Sequence, residues 1–68
     1  MSPVVLPLLL RVKDAAILLS ISPSKAYEMI KEGSLPSVVL GGSVRVPREL
    51  LEQMVREQTR QWLPEVAL

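Results

Sequence analysis

Ser24, Lys25, Tyr27, Glu28 and Lys31 are the side chains best suited to chemistry in this 68-residue sequence, and they fall within one short segment, SPSKAYEMIKEG. The chemistry they offer is recognition by hydrogen bonds and charge. Lys25 donates either to guanine acceptors or to a phosphate, and Ser24 reaches either base edges or backbone. Tyr27 can lay its ring along a sugar with its hydroxyl on a phosphate. Glu28 either accepts from a cytosine amino group or pairs with Lys25, Lys31 or solvent. Taken singly, each is an ordinary member of a solvated helix face. Clustered beside a turn between helices, they form a candidate reading surface.

Catalysis is poorly supplied by comparison. The sequence has no His and no Cys, which removes the commonest general base, the thiol nucleophile and the usual ligands of a structural zinc ion. Asp14 has no evident catalytic partner, and a pocket for a small substrate is hard to build in so short a chain. The expectation is a non-enzyme with no metal, no cofactor and no small-molecule ligand. Without a disulfide, stability has to come from packing or from association. Packing material is plentiful, since 49% of residues are hydrophobic, mostly Val, Leu, Ile and Ala. Net charge is only +1, unevenly spread. Residues 11–48 hold six basic side chains against three acidic ones, and residues 49–68 hold two arginines against four glutamates. A basic working face and a more acidic tail follow.

The elements that position the candidate surface can be read from punctuation. Val12, Ala15, Ala16 and Leu19 recur at helical spacing, with Lys13 and Asp14 on the other face, so residues 12–19 are predicted as a helix. Ser20-Ile21-Ser22 interrupts it. Ser22 is suited to cap a second helix and Pro23 to occupy its first turn, while Gly33 is a fitting stop. Residues 22–32 are thus a second helix, with Ala26, Met29 and Ile30 inward. Ala16 and Ala26 are small where the helices approach, and Ile21 can plug the angle between them. Two short runs, Ser37-Val38-Val39-Leu40 and Ser43-Val44-Arg45-Val46, flank Gly41-Gly42 and predict a hairpin. Arg45 should point outward beside the tight turn, with Val44 and Val46 inward. Ser43 and the amides of Gly41 and Gly42 could meet a phosphate. A third helix starts near Arg48, places Leu50, Leu51, Met54 and Val55 on one face, and fades near Gln61 or Trp62 because Pro64 disfavours helix at Leu63.

The predicted fold is mainly α with a small β-hairpin: a winged helix-turn-helix of three helices and a two-stranded wing. Two short helices joined by about three residues can set the second in the major groove. The candidate DNA-binding set is Ser22, Ser24, Lys25, Tyr27, Glu28, Lys31, Ser43 and Arg45, and the expected partner is double-stranded DNA. Residues 1–10 (MSPVVLPLLL) are broken by Pro3 and Pro7. They lack the positive region of a signal peptide and the roughly 20 apolar residues of a membrane span. They are expected to form an apolar arm, packed on the domain (residues 11–61) or on a neighbour. The apolar tail at residues 62–68 has the same two options. A cytoplasmic protein, with no membrane partner, is expected.

The segments LLRVKDAAILLSISPSKAYEMIKEGSLP and VVLGGSVRVPRELLEQMV resemble the excisionase-like, MerR-type winged helix-turn-helix family. The shared features are the Ala pair in the first helix, the S-x-S/P-x-x-x-Y pattern of the second, E-G-x-L-P after it and G-G-x-x-R-V-P before the last helix. The resemblance implies DNA binding through the second helix and the wing. It further implies a directionality factor that binds cooperatively near a recombination site, bends the DNA and biases an integrase towards excision. A small transcriptional regulator is the alternative of the same fold, and a protein-interaction module that has lost DNA binding is the alternative of another class. By position, Ser24, Lys25, Tyr27 and Glu28 match the reading helix, and Arg45 the wing arginine. The sequence departs from the family pattern at Arg11, where a Ser or Thr cap is common, at Ser20, where glycine is common, and at Pro23-Ser24, where an Arg is frequent. Few phosphate contacts imply modest affinity for one copy, which self-association on DNA would offset.

Overall fold

The computed structural model describes residues 6–62. The expectations for residues 1–5 of the arm and 63–68 of the tail lie outside the described residues. The chain runs through strand β1 (Leu9–Arg11), helix α1 (Val12–Leu19), helix α2 (Pro23–Glu32), strands β2 (Val38–Leu40) and β3 (Ser43–Pro47), helix α3 (Arg48–Thr59) and a 3-10 turn at Arg60–Trp62. Three helices and an antiparallel hairpin are the winged helix-turn-helix arrangement expected from the punctuation.

The two helices of the motif end alike. At the end of α1, Ser20 N–H donates to the Ile17 carbonyl and Ile21 N–H to the Ala16 carbonyl. At the end of α2, Gly33 N–H donates to Ile30 and Ser34 N–H to Met29. Both are Schellman endings, in which one residue turns left-handed to satisfy the last carbonyls. Gly33 does so at φ 82, and Ser20 does so at φ 58 despite its side chain. The turn that follows Ser20 carries Ile21 into the core and delivers Ser22 as the cap of α2.

The core comprises Leu10, Val12, Ala15, Ala16, Ala26, Leu35, Val46 and Leu51. Ala15, Ala16 and Ala26 are fully buried, which lets α1 and α2 approach closely as their small side chains require. Leu19, Ile21, Met29, Ile30, Val44 and Met54 pack around this nucleus. Leu35, which reads as loop in the sequence, is almost fully buried. Its N–H donates to the Met29 carbonyl, which holds it just beyond the end of α2.

A third strand joins the wing. β1 pairs antiparallel with β3, giving the order β1-β3-β2. Leu10 lies opposite Val46, and both are buried. The pairing continues past the strand: Arg48 N–H donates to the Leu8 carbonyl, and its Nε donates to the Pro7 carbonyl at 2.9 Å. Leu9 and Leu10 of the apolar N-terminal stretch are thus part of the domain's own sheet, together with Arg11. At the turn, Gly41 and Gly42 both have positive φ, as a two-residue type I′ turn requires. Nothing lies within 4 Å of where a Cβ would stand at either, so backbone conformation and not space sets the requirement. Strand β2 is exposed along its whole length.

Helix α3 departs from the expected pattern. Leu51 is buried and Met54 half-buried, but Leu50 and Val55 are exposed, so the four do not share one covered face. Leu50 and Leu51 are 100° apart around a helix, and α3 packs on the core through Leu51 and Met54. Among the described residues, no helix is long and apolar enough to cross a membrane.

Candidate nucleic-acid interface

Helix α2 holds its outer residues in a fixed register. The Ser22 side-chain oxygen accepts from the Lys25 backbone N–H at 3.1 Å, and Pro23 fills the first turn, where an N–H would go unused. Ala26, Met29 and Ile30 face inward. Ser24, Tyr27, Glu28 and Lys31 therefore fall at i, i+3, i+4 and i+7 along the outer face, and all four are exposed. Lys25 flanks this stripe. Its ammonium lies 4.0 Å from the Glu28 carboxylate, with both side chains more than half exposed. Such a pair contributes little, so Lys25 is free to leave Glu28 for a phosphate or a base. Tyr27 is 55% exposed, and neither its hydroxyl nor the Lys31 ammonium has a partner among the described residues.

Ser22 serves first as the cap, and its hydroxyl proton remains available to an acceptor. Ser43 and Arg45 lie on a different element, the face of β3 opposite Val44 and Val46. Arg45 is in the middle of the central strand rather than beside the turn. It is half-buried, and its Nη1 donates to the Val44 carbonyl at 2.9 Å. A guanidinium has five N–H donors, so most of its capacity stays open. Ser43 is half-buried beside the turn, opposite Leu40.

The sheet register brings out one residue that sequence reasoning treated only as a departure from a capping pattern. Arg11 is exposed, caps nothing with its side chain and lies directly opposite Arg45. Like charges facing each other across strands are destabilising, and neither arginine has an ion-pair partner among the described residues. The pair is a place where an anion would be welcome. Its only signal in the sequence was the basic residue ahead of α1, and that signal has no meaning until β1 is paired.

Two helices joined by a tight turn, with the second presenting an uncovered polar face beside a small wing, define a helix-turn-helix domain. The sequence model of one family, described as a helix-turn-helix domain, matches residues 9–59. The chain belongs to that family of DNA-binding domains. No curated protein and no solved structure matches it.

Proposed function

We propose that this chain is a sequence-preferring DNA-binding protein of the excisionase type. Copies bind double-stranded DNA side by side, bend it and direct an integrase towards excision, in the cytoplasm of a bacterial or phage-infected cell. The chain acts by binding and not by catalysis. The observation that carries the DNA reading is the uncovered polar stripe of α2, Ser24, Tyr27, Glu28 and Lys31 with Lys25 beside it, on a helix whose opposite face is locked into the core. Lys25 and Glu28 reach base edges, Ser22, Tyr27 and Lys31 anchor the backbone, and Ser43 with Arg45 supplies a second contact to which Arg11 adds charge. The finer reading is supported by the resemblance carried by the E-G-x-L-P and G-G-x-x-R-V-P patterns, in which Gly33 ends α2, Gly41 and Gly42 make the hairpin turn and Pro47 precedes α3. Modest charge on α2 supports cooperative binding.

Footprinting and gel shifts on DNA flanking the gene test the proposal. Wild-type protein should protect several adjacent sites, and a circular-permutation assay should show a bend. Arg45→Ala and Arg11→Ala should each weaken binding across sequences and lower the salt slope by about 1. Lys25→Ala should also relax base preference, at about 1–3 kcal/mol if it reads a base. No shift of duplex DNA even at low salt overturns the reading. A single unbent site beside a promoter replaces excision with transcriptional regulation.

A further inference from the structure

The two edges of the sheet are guarded unequally. β1 is entered from Pro7, ends on the charged Arg11 and runs straight into α1. β2 has no such guard. Val38, Val39 and Leu40 hold no charge and no proline, and they are 39%, 71% and 63% exposed. An edge invites another strand unless charge, proline or a bulge blocks it, and the ladder of β2 with β3 runs without a bulge. β2 also lies inside the longest uncharged run of the chain, the twelve residues 33–44. The turn fixes which of its backbone groups are free. Only Gly41 and Gly42 separate Leu40 from Ser43, so these two form a hydrogen-bonded pair. By antiparallel alternation Val38 with Arg45 is a hydrogen-bonded pair too, and Val39 with Val44 is not. The N–H and C=O of Val39 therefore point away from β3, to the open side.

We infer that β2 is where a second copy of the chain adds to the sheet, each β2 antiparallel to the other with Val39 on the two-fold axis. This deepens the proposed cooperative binding and rests on that reading only for its role on DNA. Register favours a copy. A two-fold contact requires a surface that complements itself, and centred on Val39 the two strands exchange both of its hydrogen bonds. The same register sets Val38 opposite Leu40 of the second copy, and Ser37 opposite Gly41, where nothing lies within 4 Å of a Cβ position. Charge favours a copy as well. Residues 11–48 hold six basic side chains against three acidic ones, so two such domains repel wherever their cationic surfaces meet. At β2 they touch through aliphatic side chains alone. An acidic strand would find no cation there, since the nearest one in the sheet, Arg45, is half-buried one strand further in. Position leaves the DNA contacts free: the sheet grows in its own plane, so the polar stripe of α2 and the outer face with Arg11 and Arg45 stay uncovered. The contact is small. Three residues a side, against the roughly 20–30 of a standard interface, make the pairing weak in free solution, with a dissociation constant of roughly 1 mM. It becomes effective where DNA holds two copies next to each other. Because a two-fold contact closes at two copies, neighbouring sites are occupied in inverted pairs.

The absence of cysteine from the chain allows one to be placed on the axis. Hydrogen-bonded antiparallel partners stand about 5.5 Å apart, within the span of a disulfide. The full chain is used without DNA, so that failure here is separate from failure of the DNA reading. Under mild oxidation at roughly 1 mM protein, Val39→Cys should form covalent dimers at least about tenfold faster than Gln53→Cys, an exposed position on α3. In nuclear magnetic resonance the Val39 amide should exchange more slowly as wild-type concentration rises, while the Val38 and Leu40 amides, already bonded to β3, should not respond. Val39→Lys places like charges face to face. It should remove this concentration dependence with an unchanged far-UV circular dichroism spectrum, since Val39 lies outside the core cluster. Val39→Thr, which keeps the β-branch and the backbone bonds, should retain it. On DNA, Val39→Lys should keep single-site binding and lose cooperativity. Equal cross-linking of the two cysteine variants, or a Val39 amide whose exchange ignores concentration, overturns the inference.

Discussion

Ser20 and Gly33 do the same work with different means. Each turns left-handed to end a helix, and each donates its N–H three residues back. For an L-residue with a Cβ this conformation costs about 1–2 kcal/mol, and glycine adopts it freely at the expense of roughly 0.5–1 kcal/mol of extra chain entropy. Ser20→Gly should therefore stabilise the domain by about 0.5–1 kcal/mol, raising the thermal midpoint by a few degrees, with DNA affinity unchanged. Gly33→Ala should move the midpoint the other way. Calorimetry on the two variants checks both. At this scale the sequence was only partly informative. Ser20 was visible as a residue standing where glycine is common, but its strain is a backbone angle. Arg11 was visible as a charge, but its facing of Arg45 depends on a strand pairing that no local pattern announces.

At the level of elements, what could be read and what could not divides by locality. The extents of α1, α2, the hairpin and α3 follow from signals that act within a few residues: Ser22-Pro23 starts a helix, Gly33 ends one, and Gly41-Gly42 turns a hairpin. Strand β1 escaped because its partner is distant in sequence and its own residues, Leu9-Leu10-Arg11, show no alternation long enough to read. Leu35 escaped because the Ser34-Leu35-Pro36 stretch has the composition of a loop. It acts instead as the wedge that fills the core below α2. Leu35→Ala should cost about 2–5 kcal/mol, which is comparable to the whole stability of a domain this size, about 3–10 kcal/mol. The expected outcome in urea titration is a protein largely unfolded at physiological temperature. A loss below about 1 kcal/mol would mean that the post-helix segment is a loop after all. The candidate site was the more legible part, since exposed α2 residues are those left over once Ala26, Met29 and Ile30 are assigned inward.

Across the whole molecule, the surfaces separate by element. The polar stripe belongs to α2, the arginine pair to the outer face of the sheet, and the uncharged edge to β2. A small core with no buried polar side chain among the described residues ties them together. The pairing of Leu10 with Val46 closes that core across more than half the length of the chain. This has a consequence in time. On the ribosome, at about 5–20 residues per second, roughly 2–7 s pass between the synthesis of Leu10 and that of Val46. The α1–turn–α2 unit forms from neighbours and can assemble meanwhile, but the strand that covers Leu10 does not yet exist. In refolding, Leu10→Ala should therefore speed unfolding and leave the folding rate nearly unchanged, whereas Ala26→Gly should slow folding; stopped-flow chevrons distinguish the two. Until β3 is made, Leu9 and Leu10 lack the strand that pairs with them in the folded domain. That interval is when the protein most needs a chaperone, and when a partly made copy is most exposed to proteolysis.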